Sequence, residues 1–406
     1  MPKTRIAVTN RQDPYITTER RTPQSDKFWS WGDDNLFPVH LTRLAQRAVT
    51  HRRIINDKAD YISGKGFNYD TSIPLLGMFV ERVNSAGETL RQVISRVAFD
   101  KMLFANAFVE VVRMPDHSSL ALYHHDASTC RLAKCEEGSQ VLIHHNWAKF
   151  RHAEAKQIPL YPKFEAFEDG TERSMIHYKD YEPMFSHYGV PSYIAGLGVS
   201  AIAYKTDRWN ISRLDNSFQM SGVMLLDDTV DSEAEAEAVI RSAEEKFGGK
   251  PGQVLFVLKD GSDNDNSRFI PISSQNDGDW EALHDQASAD IVVAHSWFRT
   301  LSGLDYSSGF SSERILHEYE VALNTVILAE QEELIEPIRD LIASEMGVDA
   351  SSLVIINRPP TQSKPIYMKV WEARRADGLE YDESDPLQQQ FLSQITYSYS
   401  TSQTVN

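Results

Sequence analysis

The sequence predicts an α+β fold in which long helices and short β-strands build more than one sub-domain. Apolar residues recur every three or four positions over residues 90–104 and over several longer stretches, which is the spacing of amphipathic helices. Between them lie β-favouring runs such as residues 108–112, with a proline shortly after. At 406 residues the chain is also long for one compact domain.

In the first half of the chain, a polar segment containing Trp29 and Trp31 predicts an extended arm over residues 1–35. The three-four spacing predicts one helix over residues 38–63, ended by Gly64 and Gly66, and a second over residues 90–104. A strand follows at about residues 105–114, and residues 116–185 are predicted to form short strands and turns.

In the second half, Pro191 suits the start of a long helix over residues 192–218. A short strand at 222–226 and an acidic helix at 231–247 come next, and residues 253–261 and 268–272 are predicted to form a hairpin. The last predicted elements are listed in chain order: a helix at 279–298, a Ser/Gly-rich loop, a helix at 313–346 kinked at Pro337, a strand at 352–357 and a polar tail.

The charge is strongly negative and uneven along the chain. The net charge is −17, yet residues 1–58 carry 11 basic and 6 acidic side chains, whereas residues 226–290 carry 5 basic and 16 acidic ones. This balance argues against a protein that grips DNA by neutralising its phosphates. The acidic run is interpreted either as a solvated face or as a surface that repels or steers a charged partner.

Targeting and redox features are few. No run of about 18 apolar residues occurs, so no membrane span is expected, and the N-terminal residues lack the apolar core of a signal peptide. Cys130 and Cys135 are too few for a disulfide framework and are expected to be reduced thiols of a cytosolic protein.

Four segments together resemble the portal proteins of tailed bacteriophages. They are WGDDNLFPVHL with the helix that ends at Gly-Lys-Gly, HYGVPSYIAGLGVSAI, SADIVVAHSWFRTLSGL and ALNTVILAEQEELIEPI, in this order over roughly residues 29–345. They are similar to the N-terminal wing, the first stem helix, the second stem helix with its tunnel loop, and the long wing helix of that family. Trp297, Phe298 and Arg299 stand where many relatives have a Pro-Pro pair.

The resemblance implies a portal-like α+β fold with long stem and wing helices, a small α/β clip and wing β-strands. The implied divisions are listed by residue number: a wing with N-terminal arm (1–185), a stem helix (186–220), a clip (221–278), a second stem helix (279–298), a tunnel loop (299–312), a long kinked wing helix (313–346), and a short crown with C-terminal tail (347–406).

The implied function is that of a ring, of 12 copies by resemblance, at one capsid vertex, through which double-stranded DNA is packaged and ejected. The expected partners are terminase, the major capsid protein and a head-tail adaptor. The expected location is the virion, after assembly in the host cytoplasm. No catalysis, metal, cofactor or membrane contact is expected, and ATP-driven work would belong to a separate terminase motor.

The resemblance also implies three sets of site residues. The tunnel-loop set, expected to border the DNA channel, is Ser302, Leu304, Asp305, Tyr306, Ser307, Ser308 and Phe310. The stem channel candidates are Asp279, Glu281, Asp285 and Asp290. The clip docking candidates, from the acidic helix, are Glu233, Glu237, Glu244 and Glu245.

Other chemistry has weaker support in the sequence. His124-His125-Asp126, His144-His145 and the two cysteines have ligand types that suit zinc or iron, but adjacent residues of a strand point to opposite faces. The Asp-rich segment 260–267 lacks the closing Glu of a calcium loop, and neither a P-loop nor a nucleophile-elbow motif is present. A His/carboxylate hydrolase on an α+β scaffold and a different head-tail adaptor protein remain the alternatives.

Overall fold

The computed structural model describes residues 26–134, 139–215, 222–228, 254–260, 268–271, 279–304, 312–360, 369–376 and 382–390. The described residues divide into two compact units. The larger unit takes residues 26–304 and 321–357, and the smaller takes residues 312–320 and 358–390. The predicted α+β class is confirmed, because helices and several small sheets share the larger unit.

The helices are listed in chain order: α1 (Phe37–Ala45), α2 (Val49–Ser63), α3 (Pro74–Glu81), α4 (Leu90–Phe104), α5 (Leu197–Asp215), α6 (Asp279–Ala294), α7 (Ser312–Ala322), α8 (Leu328–Met346) and α9 (Val370–Ala376). A 3₁₀ turn, Ser192–Gly196, leads into α5, and a π turn, Leu323–Ile327, joins α7 to α8.

The strands are listed likewise: β1 (Phe67–Asn68), β2 (Asn106–Arg113), β3 (Leu120–His125), β4 (Cys130–Leu132), β5 (Gln140–Ile143), β6 (Lys156–Pro159), β7 (Glu165–Ala166), β8 (Glu172–Lys179), β9 (Gly222–Asp228), β10 (Val254–Asp260), β11 (Arg268–Pro271) and β12 (Val354–Ile355). They form sheets in the orders β3-β2-β8-β7, β4-β5-β6, β10-β9-β11 and β1-β12.

Helix α4 lies at the centre of the larger unit. A capping box holds its first turn, since the Thr89 hydroxyl accepts from the Gln92 backbone N–H and the Gln92 side chain accepts from the Thr89 N–H. Its apolar residues, including Leu90, Ile94 and Val97, are fully buried between α2 and strand β2. The three-four spacing in the sequence therefore located the helix that carries the core, because burial on this face stabilises it.

The predicted helix over residues 38–63 is two helices, which corrects the sequence-based prediction. The chain leaves helical geometry at Ala48, which is extended with φ −92° and ψ 106°, and α2 begins at the next residue. Both halves bury apolar residues, so the three-four spacing continues across the break and conceals it. Gly64 ends α2 with φ +63°, as predicted from the Gly-Lys-Gly segment.

The predicted hairpin between residues 253–261 and 268–272 is also corrected. Strands β10 and β11 do not pair with each other; they flank β9 on opposite sides, β10 parallel to it and β11 antiparallel to it. A parallel partner requires a crossover connection, and the segment between β9 and β10 is long enough to provide one. The acidic helix predicted at residues 231–247 lies in that segment, outside the described residues.

The helix predicted at residues 313–346 and the strand predicted at residues 352–357 also differ from the sequence-based prediction. Pro337 lies within α8, and the π turn Leu323–Ile327 divides the predicted helix over residues 313–346 into α7 and α8. Strand β12 is shorter than predicted and pairs antiparallel with β1, with Phe67 opposite Ile355. In the smaller unit, the Val370 and Trp371 backbone N–H groups donate to the carbonyls of Gln390 and Gln388.

Glu110 joins two of the sheets through a buried ionic cluster. This residue of β2 has one carboxylate oxygen 2.6 Å from His125 Nε2, and the other 2.8 Å from Lys156 Nζ and 3.0 Å from Arg173 Nη1. Lys156 belongs to β6 in the second sheet. Burial acts to raise the pKa of Glu110, but the hydrogen bonds and charges of His125 and Lys156 outweigh it and lower the pKa to about 2.

We expect Glu110→Gln to lower the free energy of unfolding at pH 7 by about 2–3 kcal/mol. Folding lowers the pKa of this carboxyl from 4.5 to about 2, and the substitution removes the stabilisation that accompanies this shift. A lowered carboxyl pKa stabilises fully above pH 4.5, and its contribution declines as the pH falls toward 2. Urea unfolding at several pH values tests this. The exposed Glu165→Gln variant is the control, and a difference that stays constant down to pH 2 would contradict the assignment.

Candidate functional site

Helices α5 and α6, the predicted stem helices, pack against each other as an antiparallel pair. Gly196, the last residue of the turn that leads into α5, lies beside Ala294 at the end of α6, and a Cβ built on Gly196 would stand 2.5 Å from the Ala294 Cβ. Further along, His284 Nε2 is 3.3 Å from Asp207 Oδ1. Small residues at the crossing, including Ser200 and Ala287, are buried, so the two backbones approach closely.

The entry to α5 is fixed by the end of α4. The Asn106 side chain donates to the Phe104 and Gly189 carbonyls at 2.8 and 2.9 Å, and it accepts from the Gly189 N–H at 2.9 Å. A Cβ on Gly189 would stand 2.3 Å from the Ala105 carbonyl oxygen, so only glycine permits this approach. The Tyr193 hydroxyl donates to the Leu103 carbonyl. The predicted wing and stem therefore meet through specific buried bonds.

A buried aromatic and basic cluster, here called the stem junction, lies where α6 ends. It consists of His51, Lys58, Tyr193, His295 and Trp297. The nearest nitrogens of His51 and His295 are 2.8 Å apart, and the Tyr193 ring stacks on His295 with centroids 4.5 Å apart. Lys58 donates to the His295 carbonyl at 3.1 Å and lies 5.7 Å from the centre of the Trp297 ring.

Burial determines the protonation of this junction. Desolvation, assisted by the charge of Arg52, lowers the pKa of His51 to about 4, and desolvation likewise holds the pKa of His295 well below its usual range. Both imidazoles are therefore neutral at pH 7, and one ring donates its N–H to the lone pair of the other. Burial also lowers the pKa of Lys58, against the attraction of Glu330 and Asp180.

Beside the junction, a cavity of about 70 Å³ is lined by three further charged residues, Lys101, Asp180 and Glu330. Lys101 is buried and its Nζ lies 2.8 Å from Asp180, 2.5 Å from Glu330 and 2.8 Å from Glu333. Burial opposes the charge of Lys101, but Asp180 and Glu330 outweigh it and raise its pKa. The cluster joins α4, the residue after β8, and α8 around the base of the stem helices.

The residues of the stem junction were absent from the sequence-based site prediction. A signal was present, because His51 and Lys58 fall on the stripe that includes Ile54, Ile55 and Ile62, where the helical spacing predicts apolar core residues. Polar residues on such a stripe indicate buried partners. The partners themselves lie about 240 residues further along the chain, beyond the range of local patterns.

Of the predicted tunnel-loop set, the structure describes two residues. Ser302 is buried and its hydroxyl donates to the Phe298 carbonyl at 2.7 Å, while Leu304 is partly buried and its N–H donates to the Arg299 carbonyl. The start of the loop is thus a tight turn, which follows the buried Trp297. Asp305, Tyr306, Ser307, Ser308 and Phe310 lie outside the described residues.

Of the predicted stem and clip residues, the structure likewise describes the side chains of only two, Asp285 and Asp290. Asp285 has 81% of its side chain exposed, and Asp290 is partly buried and accepts from Gln286 at 2.8 Å. The two aspartates are five positions apart and therefore about 140° apart around α6, so at most one can point directly at a common axis. The side chains of Asp279 and Glu281, and all of Glu233, Glu237, Glu244 and Glu245, lie outside the described residues.

The histidines considered as metal ligands have separate partners. His124 Nε2 is 2.8 Å from Asp100, and His125 is bonded to Glu110 on the opposite face of β3. Cys130 is a free, buried cysteine, and its burial raises the pKa of the thiol. Within the described part of the chain, no three His, Cys, Asp or Glu side chains are grouped so that they could hold a metal ion. Cys135 lies outside that part.

Comparison with known proteins shows that the fold of this chain occurs in solved structures. No protein-family model and no curated protein matches the chain. A chain from the virion of a native gene transfer agent particle matches with a TM-score of 0.53 and 14% identity over 89% of this chain and 97% of its own length. A chain from the neck of that particle, computed with C12 symmetry, matches with a TM-score of 0.53 and 13% identity over 90% and 97%.

An HK97-family phage portal protein from Corynebacterium diphtheriae matches with a TM-score of 0.45 and 14% identity over 78% of this chain and 93% of its own length. None of the helices in the described ranges has both the length and the apolarity to cross a membrane. The resemblance stated from the sequence is confirmed at the level of the fold: this chain has the fold of the virion and neck chains of the gene transfer agent.

The close contact at Gly196 generates a prediction about the stem helices. We expect Gly196→Ala to lower the free energy of unfolding by about 1–3 kcal/mol, because the new methyl group overlaps Ala294. Gly198→Ala is the matched control: nothing lies within 4 Å of its Cβ, so alanine should be neutral or stabilise the helix by up to about 1 kcal/mol.

Urea unfolding of both variants, measured on the monomeric protein, gives the difference. Adding Ala294→Gly to Gly196→Ala should recover most of the loss, because it removes the overlapping methyl group. Equal effects at Gly196 and Gly198 would contradict the close approach of the two helices.

Proposed function

We propose that this chain is a portal subunit, which forms a closed ring at one capsid vertex through which double-stranded DNA is packaged and ejected. The observation that carries the proposal is the fold, shared over 90% of the chain with a chain from the neck of a native gene transfer agent particle, computed with C12 symmetry. The neck chain is matched over 97% of its own length, so the similarity of fold extends over nearly all of that chain. The proposed role is structural and not enzymatic.

The arrangement of elements supports this proposal physically. A ring requires head-to-tail contacts, in which one face of each copy meets a different face of the next. The helix pair α5 and α6 adjoins the stem junction, where buried bonds tie its ends to α2 and α4. Glu330 of α8 lines the neighbouring cavity. Such a pair, anchored at one end, can line a channel with elements that do not change shape when DNA passes.

The acidic charge suits a channel that conducts DNA without holding it. Phosphate contacts to basic side chains provide most of the sequence-independent affinity for DNA, so each such contact would slow its movement. Within the proposal, the stem contributes Asp290 to the channel and the tunnel loop lies between the stem and α7. The clip over residues 221–278 docks terminase during packaging and the head-tail adaptor afterwards, through Glu233, Glu237, Glu244 and Glu245.

The remaining parts of the proposal follow the order of elements. Residues 1–185 and 313–346 form the wing, which contacts the major capsid protein, and residues 347–406 form a short crown and tail. Assembly takes place in the host cytoplasm, before the ring becomes part of the virion. The alternative of a different head-tail adaptor would place the helix pair away from a central channel.

Particle mass tests the ring. Twelve copies of the 46.1 kDa chain have a mass of about 553 kDa. We expect the purified protein, analysed by mass photometry and negative-stain imaging, to include annular particles near this mass with a central hole. A compact dimer as the largest species, at every concentration and salt tested, would contradict the proposal.

Binding of DNA by the assembled ring tests the acidic channel. We expect Asp290→Lys to raise the affinity of the ring for blunt double-stranded DNA by at least about tenfold at low salt, with a steeper salt dependence, because each copy adds a cation beside the phosphates. Glu336→Lys, at an exposed position of α8, changes the total charge equally and is the control. Equal effects of the two substitutions would exclude Asp290 from the channel wall.

A further inference from the structure

Two contacts between helices α5 and α6 give the register of the antiparallel pair, that is, which residues stand at the same height along the proposed stem. Gly196 lies beside Ala294, and Asp207 lies near His284, so positions whose numbers add to about 490 stand at the same height in the antiparallel pair. This register places Gly198 level with Val293, Ile202 level with Ala289, and Lys205 level with Asp285.

These six residues lie on the outer faces of the two helices. Gly198, Ile202 and Lys205 follow one another at spacings of four and three on α5, and all three are exposed. On α6, Asp285, Ala289 and Val293 repeat every four residues. Each helix has the other as its principal packing partner, so these stripes face away from the contact inside the protomer.

The two outer stripes complement each other in shape. Val293 has 76% of its surface exposed, and Ile202 has 38%. Gly198 has nothing within 4 Å of the position of a Cβ, so its surface is an open notch at the height of Val293. Apolar side chains left in water on both helices favour an apolar cover, and a valine opposite a glycine can pack closely.

The charges on the two stripes also complement each other. Asp207 of α5 is engaged by His284 within the protomer, which leaves Lys205 and Arg208 as exposed cations of α5. Asp285 of α6, although 3.9 Å from His284 Nδ1, has 81% of its side chain exposed. Lys205 and Asp285 stand at one height and bear opposite charges, which favours a contact between unlike faces.

We infer that, in the ring proposed above, the outer stripe of α5 packs against the outer stripe of α6 in the next copy, pairing Gly198 with Val293, Ile202 with Ala289 and Lys205 with Asp285. The inference rests on the proposed ring. Copies in a closed ring are related by rotation alone, so when the axis runs along the helix pair each residue meets a neighbour at its own height. The partner is therefore a second copy of this chain.

Cysteine cross-linking tests the predicted register. The double variant carries Gly198→Cys and Val293→Cys in a Cys135→Ser background, so the buried Cys130 is the only native cysteine that remains. It should form disulfides between copies on mild oxidation. Non-reducing electrophoresis of the ring fraction should then show a ladder of cross-linked species extending to the full ring. Either single variant should give no ladder, because a head-to-tail contact does not bring two copies of one position together.

A charge exchange provides a second measurement that does not depend on cysteine chemistry. Lys205→Asp and Asp285→Lys should each lower the stability of the ring against dilution by about tenfold or more, because like charges then face each other across the contact. Combining the two substitutions should restore most of the loss. Glu336→Lys, away from both stripes on α8, should leave assembly unchanged.

The outcomes separate this inference from the proposed function. Rings of the expected mass that give no ladder from the double variant, and no recovery in the charge exchange, would overturn the contact and leave the ring intact. Dimers from either single-cysteine variant would show a contact of like faces and would overturn it as well. A compact dimer as the largest species of the unmodified protein would remove the proposed function, and the inference with it.

Discussion

The structure of the larger unit depends on how one buried cation is neutralised. Lys101 has only 2% of its side chain exposed and is held by Asp180, Glu330 and Glu333, which come from two different parts of the chain. A buried ammonium group without partners would be strongly destabilising, so α4, the end of β8 and α8 must meet here. The stem junction lies against this cluster across a small cavity, so the same constraint fixes the base of the helix pair.

This organisation separates a buried base from the exposed faces of one helix pair. The base contains buried bonds of several kinds: the neutral His51–His295 contact, the Asn106 bonds to Gly189, and the Glu110 cluster between two sheets. The helix pair α5 and α6 adjoins this base, with small residues at the crossing and exposed residues on the outer faces. In the proposed ring, this helix pair would be the repeated element of the channel wall.

Some side chains of the helix pair and its loop are bonded within the protomer, and others remain exposed on the outer faces. Asp207 and His284 pair between α5 and α6, and Ser302 is engaged within its own turn. Lys205, Asp285 and Val293 remain exposed on the outer faces. Exposed charges of opposite sign on two helices, next to exposed apolar residues, are the features that a heterologous contact between identical copies requires.

The sequence by itself determined the α+β class, the core helix at residues 90–104, the strand after it, and the order of parts that resembles portal proteins. These depend on local spacing and on residues close together in the chain. Only the tertiary structure decided that β10 and β11 flank β9, that residues 38–63 form two helices, and that His51 and Lys58 meet His295. Strand pairing and buried polar contacts join residues tens to hundreds of positions apart, and their partners are chosen by packing and by charge neutralisation.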